Sequence, residues 1–147
     1  MSVSENIAVV RKYFDACTSG NIDDLKSTMA PDVNHYFLPE AHKAIHGADH
    51  LARYWSKFQR VYRPKWHHDH IVGIGDEVVA EWTCLYRPAN AEGVKLFRGT
   101  EWYVMRSGLI AEVRAYYKYE NEQDCELTDF PYEARGYIQK TALKAPS

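Results

Sequence analysis

The stretch Phe97–Glu120, FRGTEWYVMRSGLIAEVRAYYKYE, decides the fold. Two runs of β-branched and aromatic residues flank Arg106-Ser107-Gly108, a short polar turn whose glycine can adopt positive φ, and together they predict a β-hairpin. Alternation sorts the first strand into Phe97, Gly99, Glu101, Tyr103 and Met105 on one face, with Arg98, Thr100, Trp102 and Val104 on the other. The second strand sorts into Val113, Ala115, Tyr117 and Tyr119 against Ile110, Glu112, Arg114 and Tyr116. Glu101 is an acid set among aromatic and aliphatic neighbours. On a buried face its ionised form is disfavoured and its pKa rises. The alternative is a strand glutamate that faces water or pairs with Arg114.

Outward from the hairpin, the N-terminal part is helical. Ser2 and Glu5 form a capping box, with Ile7, Val10, Phe14 and Cys17 following at helical spacing, Tyr13 beside that stripe and Gly20 as the stop. Asn21 caps a short second helix with Leu25 and Met29 inward, closed by Pro31. Val33–Leu38 reads as a strand with Val33, His35 and Phe37 on one face. A third helix, roughly Asp49–Val61, carries Leu51, Tyr54, Trp55 and Phe58 at helical spacing. From Trp66 the period becomes two: His67–Ile74 and Glu77–Arg87 are strands joined at Gly75-Asp76, followed by a polar connection at Pro88–Gly93, then Val94–Met105 and Leu109–Glu120. Helices followed by hairpin-linked strands give an α+β fold, with helices over one face of a curved antiparallel sheet. One domain is expected over residues 1–147, with 121–147 an ordered extension over the domain or a neighbouring subunit and a frayed end at Lys140–Ser147.

Composition narrows the function. A net charge of −2 with interspersed signs offers no broad basic surface for nucleic acid. No apolar run reaches membrane-spanning length and no secretory leader is evident, so a soluble, cytoplasmic protein without membrane or nucleic-acid partners is expected. Cys17, Cys84 and Cys125 fit neither a disulfide framework nor a CxxC metal site. The 11 tyrosines and 4 tryptophans exceed what a small core needs and suit a planar ligand or a subunit interface.

Several residues carry potential chemistry. In the HHDH run, His68 and His70 share one strand face and His67 and Asp69 the other, so at most two converge and no metal site is expected. One face of this run is solvated or lies in an interface; the other places a histidine at a pocket wall. His35 reads either as a general base or as a half-buried histidine satisfied by a carbonyl. Tyr13 reads as a hydroxyl donor or a core residue, and Trp82 and Tyr117 as packing residues. Phosphate loops, GxSxG and HExxH are absent.

The first helix ending TSGNIDDLKSTMAPDV, then HGADHLARYW, GDEVVAEW and GLIAEVRAYY, in that order, resemble the nuclear transport factor 2-like superfamily over Glu5 to Glu120. This is the cone-shaped α+β fold of ketosteroid isomerase, scytalone dehydratase and SnoaL-like polyketide cyclases. Against the ketosteroid isomerase pattern, Tyr13 matches the oxyanion-hole tyrosine. Glu101 matches the second oxyanion donor, an acid kept protonated by apolar surroundings. Trp82 and Tyr117 match pocket-lining positions, whereas Phe37 occupies the place of the base; His35, two residues earlier on the same face, is the substitute. Lys118 stands where SnoaL-like cyclases usually carry an aspartate.

The resemblance implies a cofactor-independent isomerase, dehydratase or cyclase acting on a small apolar or aromatic carbonyl compound, with Tyr13, His35 and Glu101 catalytic. Phe37, Trp55, His70, Trp82, Tyr103, Val113 and Tyr117 are the expected substrate-binding residues. The alternative is a non-catalytic binding or dimerisation domain. The outer sheet face, with Trp102, Arg114 and Tyr116, is too aromatic for open solvent and predicts a homodimer.

Overall fold

A computed structural model describes residues 1–89 and 92–143. Helix α1 (Val3–Ser19) starts at the expected capping box, where the Ser2 hydroxyl accepts from Glu5 N–H and the Glu5 carboxylate accepts from Ser2 N–H. It ends on Gly20 at φ +72°, a left-handed conformation that favours glycine. It buries Val10, Tyr13, Phe14 and Cys17, so Tyr13 is fully in the core rather than beside it. Burial of side chains this size stabilises by roughly 1.5–3 kcal/mol each. Helix α2 (Ile22–Ser27) is capped by the Asn21 side chain.

Strand β1 (Met29–Phe37) begins earlier than the sequence suggests, so Met29 is buried as a strand residue and Pro31 does not close the helix. Pro31 falls within the register irregularity between Met29 and Asn34, where the ladder does not need its missing N–H. The short β2 (Ile45–His46) pairs with β1, and α3 (Ala48–Tyr62) follows. The remaining strands are β3 (Lys65–Ile74), β4 (Glu77–Tyr86), β5 (Lys95–Arg106) and β6 (Leu109–Tyr117).

The strand order is β2-β1-β6-β5-β4-β3 in one curved, unclosed sheet packed against the three helices. The sheet is mixed, not wholly antiparallel: β1 meets β6 in parallel, reached by a crossover through α3 and the β3–β5 meander. The β5–β6 hairpin turns through Ser107 and Gly108 at φ +53° and +76°, the primed geometry that matches strand twist.

Two bulges break the alternation read from sequence. Between Val104 and Met105 the β6 register slips by one residue at Ala111, so Ile110, assigned to the outer face, is fully buried. In β3 a slip between His68 and His70 puts His68 inside and leaves the His70 side chain 60% exposed.

The residues after Asn121 lie across the outer face of the sheet. Cys125 joins Phe97 in an isolated parallel bridge, and Asp69 accepts from the Ile138 N–H at 2.7 Å. Arg98 gathers the cover: it donates to Glu126, to the Thr83 hydroxyl and to the Ile138 carbonyl, and lies 3.9 Å over the Tyr132 ring. Thr83 is therefore buried although it points away from the helices, and Leu85 on the same face is buried as well. Cys17, Cys84 and Cys125 are buried free thiols. Lys140–Ala142 make a 3-10 turn; the rest of the expected frayed end, 144–147, and the middle of the Pro88–Gly93 connection, 90–91, lie outside the described residues.

Candidate active site

Helix α3 and the concave face of the sheet enclose a cavity of about 380 Å³, open at one end, within the range of small-molecule sites. Trp66, Trp82, Phe97 and Tyr117 line it from the sheet, and Tyr54, Trp55, Phe58 and Tyr62 from the helix. The aromatic walls lock one another: Trp66 stands edge-on to Trp55, Trp82 and Phe97 at 5.3–5.7 Å. Glu101 is the one carboxyl group among the described lining residues.

The strand pattern explains its position. Glu101 alternates inward with Tyr103 and lies opposite Ala80 and Ala115, two small residues that leave room above it. It is 3% exposed and accepts a short hydrogen bond from the Tyr103 hydroxyl. Burial raises its pKa to about 7, a rise that the Tyr103 bond partly offsets. Both protonation states are thus populated near neutral pH. Behind it, the Tyr103 oxygen lies 3.4 Å from His68 Nε2, and the His68 ring stacks on Phe14 at 3.8 Å.

His35 is fully buried beside this group, its Nε2 3.8 Å from Glu101 Oε1, too far for a hydrogen bond. Neither ring nitrogen has a hydrogen-bond partner. Burial, aided by His42, lowers its pKa to about 3, so the ring is neutral at pH 7. The carbonyl partner considered from sequence is not found. Tyr13 is also fully buried; its oxygen accepts from the Trp55 indole at 2.7 Å, and burial raises its pKa well above the usual phenol range.

The expected catalytic residues are therefore neighbours in space with different access. Glu101 lines the cavity, whereas Tyr13 and His35 sit in the wall behind it. Phe37, Trp55, Trp82 and Tyr117 line the cavity; Tyr103 and Val113 are fully buried and outside the lining. His70 is a correction: the β3 bulge turns it to the outer face, where its Nδ1 is 3.4 Å from Glu81. Nor does Glu101 pair with Arg114, which is joined to Glu112. Among the described residues no three His, Cys, Asp or Glu side chains gather as metal ligands would.

Sequence reasoning missed His42. It hydrogen-bonds the Tyr54 hydroxyl at 2.8 Å and stacks on Phe37 at 3.9 Å, while Phe37 stacks on His35 at 4.2 Å. Being in a loop, it carries no periodic signal. Tyr54 and Phe58 were legible as the inner stripe of α3, but their lining role depends on how far that helix stands off the sheet.

With this geometry in place, the comparisons are specific about family. The SnoaL-like domain model matches residues 10–126, so the chain belongs to the SnoaL-like domain family, within the nuclear transport factor 2-like fold. No curated protein sequence matches the chain. A protein of unknown function with a cystatin-like fold from Methylobium petroleophilum PM1 is 29% identical, with 100% of this chain and 97% of that one covered and a TM-score of 0.71. An LEH-like epoxide hydrolase of M. tuberculosis (17% identity, 79% and 84% covered, TM-score 0.69) and a candidate ketosteroid isomerase of Kribbella flavida DSM 17836 (16%, 84% and 85%, TM-score 0.65) share the fold. At such identities they speak for architecture alone.

Proposed function

We propose that this protein is a cofactor-independent acid–base enzyme, an isomerase, dehydratase or cyclase, acting on a small apolar or aromatic carbonyl compound. The observation that carries the reading is Glu101: a lone carboxyl in an aromatic cavity, held by burial at a pKa of about 7. A group poised there serves proton transfer at neutral pH with little driving-force penalty. Its ionised form takes a proton from the carbon beside the substrate carbonyl and its neutral form returns it. Once it holds that proton, the neutral form donates a hydrogen bond to the enolate oxygen, a contact worth several kcal/mol in a dry site.

Tyr103 orients the carboxyl group through its hydrogen bond, and Tyr13 acts at one remove by fixing Trp55. His35, neutral and unpaired, supplies a weakly basic wall rather than the base itself. Trp82 and Tyr117 hold the substrate body. A second reading, a non-catalytic binding domain, draws on Phe37 standing where the related isomerases carry a base.

The test is turnover of planar ketones by the purified protein together with titration of Glu101 by NMR. Glu101→Gln is expected to cost at least about a hundredfold in kcat/KM while leaving the fold intact. A carboxyl group that titrates like a free side chain would sink the enzyme reading.

Assembly and location extend the proposal. Tyr116 is 47% exposed on the outer face beside Trp102 and Arg114, an aromatic patch suited to a two-fold partner. A monomer by light scattering at micromolar concentration contradicts that. No helix among the described residues is long and apolar enough to cross a membrane, and three free thiols suit the reducing cytoplasm.

A further inference from the structure

The cavity is asymmetric in charge along its length. Its floor carries Glu101, and its rim includes Lys57, the only lysine or arginine among the described lining residues. Lys57 is exposed and, among the described residues, takes part in no ion pair. Lys26, Lys118 and Lys140, by contrast, each have an acid within 2.6 Å. Lys57 also does not stand alone in sign. Arg53, Lys57 and Arg60 follow at i, i+4 and i+7 along one stripe of α3, with Arg63 as its C-cap. The one acid of that helix, Asp49, lies at its far end and is engaged by Lys26. The mouth therefore opens beside a positive stripe. A low-dielectric aromatic funnel focuses such a field on whatever enters.

Resting on the reading of this cavity as the ligand site, we infer that its ligand is a planar aromatic carboxylate, seated with its anionic group at Lys57 on the rim and its reacting carbonyl end toward Glu101. The arrangement gives orientation as well as affinity. A carboxylate at the floor would meet Glu101 in apolar surroundings, where two like charges cannot both be ionised. At the rim it meets a cation that keeps contact with water, so neither partner bears a full desolvation cost. A neutral ligand of the same shape gains the aromatic contacts but has no preferred direction of entry. Lys57 is thus a specificity-determining residue, distinct from the proton-transferring group.

The test uses two probes of nearly equal shape, 2-naphthoate and 2-naphthamide, titrated calorimetrically at about pH 6, where the acid is ionised and Glu101 is mostly neutral. The wild-type protein is expected to bind naphthoate on the order of tenfold more tightly than the amide, with a preference that shrinks as salt is added. Lys57→Met is expected to erase the preference while leaving naphthamide affinity within about twofold, and Lys57→Glu to reverse it. Lys57 is exposed, so both variants retain the core and fold. Equal affinities in the wild type, a preference that survives Lys57→Met, or failure of both probes to bind would each overturn the inference. The readout needs no turnover. Selective naphthoate binding by a protein whose Glu101 titrates as an ordinary carboxyl group retains this inference and rejects the acid–base role; catalysis on neutral ketones without naphthoate selectivity does the reverse.

Discussion

Arg98 and Glu101 sit three residues apart on β5 and face opposite sides of the same sheet. The outer one is saturated: a carboxylate, a hydroxyl, a backbone carbonyl and an aromatic ring all take its guanidinium. The inner one has a single phenol donor and an imidazole out of bonding range. A charge with many partners is fixed in one state and serves structure. A charge with few partners in a dry place moves between states and is available for chemistry.

The sharpest challenge to this contrast is Arg98→Ala. It strips the C-terminal cover of its central anchor and is expected to cost about 3 kcal/mol, because Glu126 and the Ile138 carbonyl lose their donor. Urea unfolding measures the cost, and limited proteolysis should find new cuts after residue 121. A loss under 1 kcal/mol would show that the extension is held by its aromatic contacts instead.

Gly99 lies between the two groups and separates the two faces. A Cβ there would meet Trp82 Cζ2 at 2.6 Å, Tyr117 Cβ at 2.8 Å and the Tyr116 carbonyl at 2.9 Å. Gly99→Ala is expected to cost about 2 kcal/mol by overpacking and to displace the cavity wall, seen as altered indole emission. An unchanged midpoint would mean that Trp82 yields freely.

The inner face also predicts how stability follows pH. The Glu101 pKa is raised in the folded state, so its stabilising contribution is complete below its ordinary value and is lost as pH climbs through about 7. Between pH 6 and 8 this amounts to about 1 kcal/mol, and Glu101→Gln should flatten that limb. His35 and His68 behave oppositely. Their pKa values fall to about 3, so their contribution is complete above about 6.5 and is lost as pH drops toward 3. His68→Phe, which keeps the stack on Phe14, should soften acid unfolding. The smallest effect belongs to the outer rim: the 2.5 Å Lys140–Asp124 pair is partly exposed, and Lys140→Ala should change stability by under about 0.5 kcal/mol.

The same contrast explains what could be read from the sequence. The hairpin at Ser107-Gly108 and the inward phase of Glu101 were legible because both are local: a turn dipeptide with positive φ and an uninterrupted run of alternation. Ile110 and His70 were misplaced because each lies just past a bulge, and one inserted residue reverses the phase without leaving a compositional mark. The parallel pairing of β1 with β6 was hidden for another reason: those strands are joined through nearly half the chain. His42 enters the site only because its loop folds over Phe37, a contact made by tertiary structure.

The three thiols have a practical consequence. Cys17 lies in the core beneath Tyr13, whereas Cys125 belongs to the segment bridged to Phe97, and each is sealed from reagents while its region stays closed. Alkylation kinetics resolved by peptide mass would clock the two regions separately in one tube. Cys125 would report the peeling of the cover, Cys17 the opening of the helical layer, and the ratio of their rates would show whether ligand traffic requires the first, the second or neither.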